Sequence, residues 1–224
     1  MTSADESLNN QYADKAPDYF QQARPEMLPF VPAQSRFVLE VGCGSGEFAG
    51  LLKARLPGAT VWGIEPSKDA AALAAGKIDR VVHGSFESGM PELAGQRFDC
   101  VVFNDVLEHL VDPEDVLRKC RAYLAEGGVI VASIPNILYF YEITKILLEE
   151  DWEYCEHGIL DKTHLRFFTR KSIVRMFQSA GYRVEQIDGI NAFAGKKYRL
   201  INFLMLGRLR DWKYVQYGIR ASAA

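Results

Sequence analysis

Side chains able to handle protons or metal ions gather at two places in the chain. Asp105, Glu108 and His109 are spaced i, i+3, i+4, which on a helix puts two carboxylates and an imidazole on one face. Such a trio can relay a proton or hold a divalent ion. The plainer role is a hydrogen-bond network at a helix start; that metal-free role is the expectation, with a divalent ion at Asp105, Glu108 and His109 as the alternative. The second place is the run from His157 to Thr169, which carries Asp161, His164 and Arg166 among aromatic residues. Imidazole titrates near neutral pH, so His164 is a candidate general base, with Asp161 as the carboxylate that orients it. The same residues could instead tie a loop to the sheet while Thr169 caps the next helix.

A third feature can hold a ligand. The turn Glu40-Val41-Gly42-Cys43-Gly44-Ser45-Gly46 follows an apolar run, and glycines there permit positive φ and close approach of the backbone to a bound molecule. A dinucleotide fingerprint would have its last glycine at position 47, where the chain has Glu47. Glu40 beside a pyrophosphate would also set like charges together. A ligand without phosphate, bearing an ammonium and a sulfonium, suits the turn better. Glu65, ending the next apolar run before Pro66, can accept from both hydroxyls of a ribose. These features together point to S-adenosylmethionine as the cofactor.

The elements that must position these groups alternate. Phe37–Val41, Thr60–Ile64, Asp79–His83, Phe98–Phe103 and Gly128–Ile134 read as short apolar strands, separated by helical stretches that include Ser67–Ala75 and Pro113–Leu124. Strand and helix in alternation specify an α/β fold with a doubly wound, mostly parallel sheet. Thr169–Ala180 reads as a capped helix, Tyr182–Ile190 as a strand and Trp212–Ala221 as a last strand. One domain over residues 1–224 is expected, with cap elements at 1–30, 136–165 and 191–211.

Composition narrows the class. The 224 residues carry 26 Lys and Arg against 29 Asp and Glu, a net charge of −3, which gives no reason to expect a nucleic acid partner. Cys43, Cys100, Cys120 and Cys155 lie far apart, with neither zinc-ligand spacing nor a disulfide framework. The polar first residues do not resemble a secretory signal and no apolar run is long enough to span a bilayer, so a cytoplasmic protein is expected.

The stretch Val38-Leu39-Glu40-Val41-Gly42-Cys43-Gly44-Ser45-Gly46, with Glu65 and Phe98-Asp99-Cys100-Val101-Val102-Phe103-Asn104-Asp105-Val106-Leu107-Glu108-His109, resembles class I S-adenosylmethionine-dependent methyltransferases. The resemblance covers roughly residues 36–190 and implies a Rossmann-like seven-stranded sheet with an antiparallel last strand. It also implies the methionine end of the cofactor near Glu40, Gly42, Gly44 and Gly46, the ribose on Glu65 beside Pro66, adenine by Ser85 and Phe86, and Asn104 on the cofactor's inner face. Asp105-x-x-Glu108-His109 resembles the Glu-x-x-Glu-His metal motif of quinone-biosynthesis O-methyltransferases. Asp161-Lys162-Thr163-His164-Leu165-Arg166-Phe167-Phe168-Thr169 is similar to a signature of bacterial methyltransferases associated with glycan and cell-surface polysaccharide biosynthesis. Tyr19-Phe20-x-x-x-Arg24-Pro25-Glu26-Met27 resembles their N-terminal arm, which implies that Tyr12, Tyr19 and Arg24 either close over the cofactor or pack the arm.

The acceptor is less defined. Families that methylate amide or base nitrogens often carry an Asn/Asp-Pro-Pro-aromatic motif after strand four; Asn104-Asp105-Val106-Leu107 departs from it, which favours a hydroxyl. A sugar hydroxyl of a glycan or its activated precursor is expected, with a quinone or phenol as the alternative small-molecule acceptor and a non-catalytic accessory protein as the rival of another class. Catalysis is assigned to His164, Asp161 and His109. Tyr139, Phe140, Tyr141, Trp152 and Tyr154 could stack on a sugar ring or an aromatic acceptor, or serve to pack the cap. Between 194 and 220, seven Lys and Arg stand against Asp211 alone, giving that segment +6 and the remainder −9. Residues 196–210, basic and apolar together, could form a lid or make peripheral contact with an anionic membrane.

Overall fold

The computed structural model describes residues 20–224, so Tyr12 and Tyr19 lie outside the described residues. After a 3-10 turn at Pro25–Phe30 come β1 (Phe37–Val41), α1 (Glu47–Arg55), β2 (Thr60–Glu65), α2 (Lys68–Ala74), β3 (Arg80–His83), the single turn α3 (Phe86–Gly89) and β4 (Phe98–Asn104). There follow α4 (Pro113–Cys120), β5 (Leu124–Pro135), α5 (Phe140–Glu149), α6 (Arg170–Ser179), β6 (Tyr182–Ala192), α7 (Lys196–Leu204) and β7 (Tyr214–Ala223).

The strands form a seven-stranded sheet in the order β3-β2-β1-β4-β5-β7-β6. β1 to β5 run parallel, and β7 lies antiparallel between β5 and β6. This is the doubly wound α/β arrangement expected from the alternation of apolar runs. Because side chains alternate along a strand, neighbours on β1 and β4 serve opposite cores. Leu39, Val101 and Phe103 join Phe177 and Ile219 on one face, while Val38, Cys100 and Val102 join Phe48 and Leu52 on the other. Burial on both faces explains why these strands read as unbroken apolar runs.

Helix starts follow local chemistry. Ser67 caps α2 and Asp112 caps α4, each side-chain oxygen accepting from a backbone N–H three residues on. Thr169 and Ser172 close a capping box at α6. α4 ends sooner than the apolar pattern suggests because Leu124 is drawn into the sheet opposite Phe98, leaving Arg121–Tyr123 as a 3-10 turn. Similarly β7 starts at Tyr214, since Arg210–Lys213 forms a 3-10 turn.

Chain order reverses between β1 and β4, which is where a doubly wound sheet opens a crevice at the carboxyl ends of its strands. Glu40, Asn104 and the turn after β1 all stand at that point. Phe140 of α5 packs its ring on Tyr198 of α7 (5.5 Å), and Tyr141 packs on Phe193, just beyond β6 (5.5 Å).

Candidate functional site

A cavity of about 280 Å³ opens at the crevice. One end is built by the glycine turn. Gly42 has φ +72° and Gly44 φ +52°, and a Cβ on Gly44 would stand 2.6 Å from the Phe20 carbonyl oxygen. That carbonyl also accepts from the Ser45 N–H (3.0 Å) and hydroxyl (2.9 Å), so the segment ahead of Arg24 is laced to the turn. Glu65 accepts from the Gly44 N–H (2.8 Å) with one oxygen and from the Ser67 N–H (2.9 Å) with the other. The carboxylate is thereby fixed in the cavity wall beside Pro66, Ser85 and Phe86.

Glu40 and Asn104 form the next part of the wall. Asn104 Nδ2 donates to Glu40 Oε1 (3.1 Å), while Glu40 Oε2 and Asn104 Oδ1 are inaccessible acceptors with no partner among the described residues. Two orphaned acceptors side by side are costly unless a donor group supplies their hydrogen bonds. Burial pushes Glu40 up to about 8, against the pull of the Asn104 amide, and Glu65 up to about 7, against the Ser67 and Gly44 N–H groups.

These shifts fix a pH dependence. An acid raised by folding above its ordinary value of 4.5 binds its proton more tightly in the folded chain, so its contribution is fully present below about 4.5 and declines as pH rises toward 8. Glu40→Gln is therefore expected to stabilise the ligand-free protein at pH 8 by ~2–4 kcal/mol, and to do so little at pH 5. Thermal melts across that range check it; equal effects at both pH values would contradict the burial of an ionised Glu40.

The same cavity is lined by Glu108, His109 and His164. All three are buried, and one ligand atom from each lies within 4.8 Å of the others. His164 Nδ1 is 2.9 Å from the Ile159 carbonyl oxygen, and His109 Nδ1 is 3.2 Å from that of Thr163. With Nδ1–H on a carbonyl, a neutral imidazole carries its lone pair on Nε2. His164 Nε2 stands 4.0 Å from Glu108 Oε1, and neither Glu108 oxygen has a hydrogen-bond partner among the described residues. Burial pushes Glu108 up to about 8.

Several expectations are corrected here. Residues 105–109 do not form an α-helical face: Leu107–His109 is a 3-10 turn, and Asp105 has φ +54°. The Asp105 carboxylate accepts from Arg24, the Ser133 hydroxyl (3.0 Å) and Gln216 Nε2 (2.9 Å); it lines the same cavity, yet among the described residues the group close enough to share an ion is Glu108 and His109 with His164. Arg24 lines the cavity, yet its guanidinium is engaged by Asp105, Glu26 and Gln216. Gly46 stands outside the wall; at the start of α1, a Cβ there would meet Ala74 of α2 at 3.0 Å, so its glycine serves close packing. At His164 Nδ1 the orienting acceptor is the Ile159 carbonyl, while Asp161 Oδ1 accepts from the Thr163 N–H (2.8 Å) and hydroxyl (2.7 Å). The hydroxyl of Thr163 lies 3.1 Å from His109 Nδ1, joining Asp161 to the cluster through Thr163.

The remaining expected residues, Glu40, Gly42, Gly44, Glu65, Pro66, Ser85, Phe86, Asn104, His109, Asp161 and His164, all line the one cavity. Phe86 also packs into the core against Phe103 and Tyr123. Trp152 and Tyr154 pack on Phe167 rather than into the cavity, with ring distances of 4.9 and 6.4 Å. Ile159 and Phe20 act through backbone carbonyls, which no side-chain pattern reveals.

Residues 12–187 match the family described as methyltransferase domain. The chain is 27% identical, over 91% of its length and 94% of the relative's, to a ubiquinone biosynthesis O-methyltransferase of Chromobacterium violaceum. A protein of the same name from Thiobacillus denitrificans is 29% identical over 79% of this chain and 80% of its own. Among solved structures, a SAM-dependent methyltransferase from Archaeoglobus fulgidus superposes with a TM-score of 0.67 at 20% identity, covering 96% of this chain and 98% of that one. An O-methyltransferase from neocarzinostatin biosynthesis, solved with S-adenosylmethionine and 2-hydroxy-5-methyl naphthoic acid, gives 0.58 at 14% identity over 99% of this chain and 57% of its own.

Proposed function

This chain belongs to the methyltransferase-domain family and takes its methyl group from S-adenosylmethionine; on that premise we propose that it methylates a hydroxyl of a small aromatic acceptor of the phenol or quinol type. The observation that carries the reading is the buried Glu108–His109–His164 cluster in the wall of the cavity that Glu40 and Glu65 also line. Methyl transfer is an in-line displacement at a carbon the sulfonium already activates, so what the protein adds is alignment and a nucleophilic oxygen. A phenol, with a pKa near 10, is matched to a carboxylate held near 8 or to an imidazole lone pair; a sugar hydroxyl is far less acidic. The relatives named ubiquinone biosynthesis O-methyltransferase support the same acceptor class, whereas the glycan reading rests on the Asp161–Thr169 signature and the N-terminal arm.

In this reading Glu40 Oε2 and Asn104 Oδ1 accept from the ammonium of the cofactor, Glu65 accepts from its ribose hydroxyls, and Ser85 and Phe86 border the adenine. The acceptor hydroxyl loses its proton to His164 Nε2 or Glu108, with His109 and Thr163 holding the cluster in shape. The same donor set fits a divalent ion: a carboxylate with no hydrogen-bond partner among the described residues and two histidines whose Nδ1 atoms rest on carbonyls, the usual support for ligation through Nε2. Glu108, His109 and His164 would hold it, and when bound it would make the acceptor hydroxyl more acidic.

Release of S-adenosylhomocysteine with a panel of catechols, hydroxyquinols and nucleotide sugars, before and after chelation, tests the proposal. Turnover with a dihydroxy-aromatic and an O-methyl signal in the product are expected. Turnover with sugars alone would overturn it.

A further inference from the structure

α7 and the turn after it carry apolar side chains that nothing among the described residues covers. Phe203 is 76% exposed and Leu206 86%, with Leu200 and Leu204 also out in solvent. Tyr198 is the one side chain of α7 that is buried, fixed by its hydroxyl donating to the carbonyls of Leu209 (3.1 Å) and Arg210 (3.2 Å). α7 is thus held through Tyr198 and through Asn202, whose Oδ1 accepts from the Leu209 N–H (3.0 Å), and presents Leu200, Phe203 and Leu204 outward. Amphipathic helices on globular proteins do the reverse.

Charge surrounds this ridge. Lys196, Lys197 and Arg199 stand at its start and Arg208 and Arg210 beyond its end; the one acid from residue 189 to 213 is Asp211, with Oδ1 4.0 Å from Arg210 Nε. We infer that α7 with the following turn docks on the surface of an anionic bilayer, with Phe203, Leu204 and Leu206 entering the acyl boundary and the five cations on lipid headgroups. A second copy of the chain is a poorer occupant, because a two-fold contact through this face would oppose one set of cations to its twin. No helix among the described residues is long and apolar enough to cross a membrane, so the contact is with the surface. The inference does not depend on which acceptor the cavity takes.

Co-sedimentation of the full chain with vesicles tests it. Binding to phosphatidylglycerol–phosphatidylcholine vesicles is expected, and much weaker binding to phosphatidylcholine alone. Reversing three charges (Lys196→Glu, Lys197→Glu, Arg199→Glu) is expected to weaken anionic-vesicle binding about a hundredfold, and Phe203→Ser with Leu206→Ser comparably. Both variants are expected to bind S-adenosylmethionine normally, because none of these residues lines the cavity; that control shows they are folded. Failure of the parent chain to bind anionic vesicles would overturn the inference, as would unchanged binding by both variants. So would a dimer, seen by light scattering without lipid, that Phe203→Ser with Leu206→Ser dissociates.

Discussion

Replacing Gly44 with Asp is expected to abolish measurable S-adenosylmethionine binding while leaving the sheet folded. Gly44 sits at φ +52°, a conformation that L-residues adopt at a cost, and its missing Cβ makes room for the Phe20 carbonyl oxygen at 2.6 Å. A side chain there must displace a backbone segment that Ser45 holds by two hydrogen bonds. It would also disturb the Gly44 N–H that fixes Glu65. The added carboxylate joins Glu40 and Glu65 in one cavity wall, where like charges in a buried setting resist further ionisation. A loss of more than a hundredfold in affinity, about 3 kcal/mol, is expected by calorimetry. Gly44→Ala keeps the steric conflict without the charge and should fall between. Near-normal affinity in Gly44→Asp would mean that the cofactor does not lie on this turn.

Removing the base should separate chemistry from binding. Glu108→Gln preserves shape and leaves the hydrogen bonds of Glu40 and Glu65 untouched, so cofactor affinity is expected to change little while turnover falls by roughly 10²–10⁴-fold. His164→Gln should do likewise. The pH profile supplies the sign: a base acts in its deprotonated form, and Glu108 is raised to about 8, so the parent rate should climb as pH rises toward 8. Glu108→Gln should lose that limb. If both variants keep full turnover across pH, the cluster is only scaffold, as its buried positions would then require.

Much of this was legible in the sequence because it rests on local rules. Strands buried on both faces appear as short apolar runs, Ser67 and Thr169 announce helix starts, and the glycine turn with Glu40 and Glu65 carries its own chemical logic. What was not legible depends on distant partners. Asp105 adopts positive φ within a network with Arg24, 81 residues away, and Gln216, 111 residues away, so the helical spacing of Asp105, Glu108 and His109 was misleading. The site gains its third member from His164, which the chain brings to His109 with ring centroids 4.7 Å apart across the crevice. The carbonyl of Ile159 that orients His164 belongs to a loop whose path no residue pattern specifies. The basic apolar segment was visible as composition, but only the fold shows that α7 turns its apolar residues outward.

One cavity is expected to hold the cofactor's ammonium at Glu40 and Asn104 and to aim its sulfonium at Glu108 and His164. A crystal structure with S-adenosylhomocysteine tests it most directly. The ammonium is expected on Glu40 Oε2 and Asn104 Oδ1, the ribose on Glu65, and the sulfur facing the Glu108–His109–His164 cluster. A ligand whose ribose sits away from Glu65, or whose sulfur points away from that cluster, would contradict the assignment of cofactor and base together.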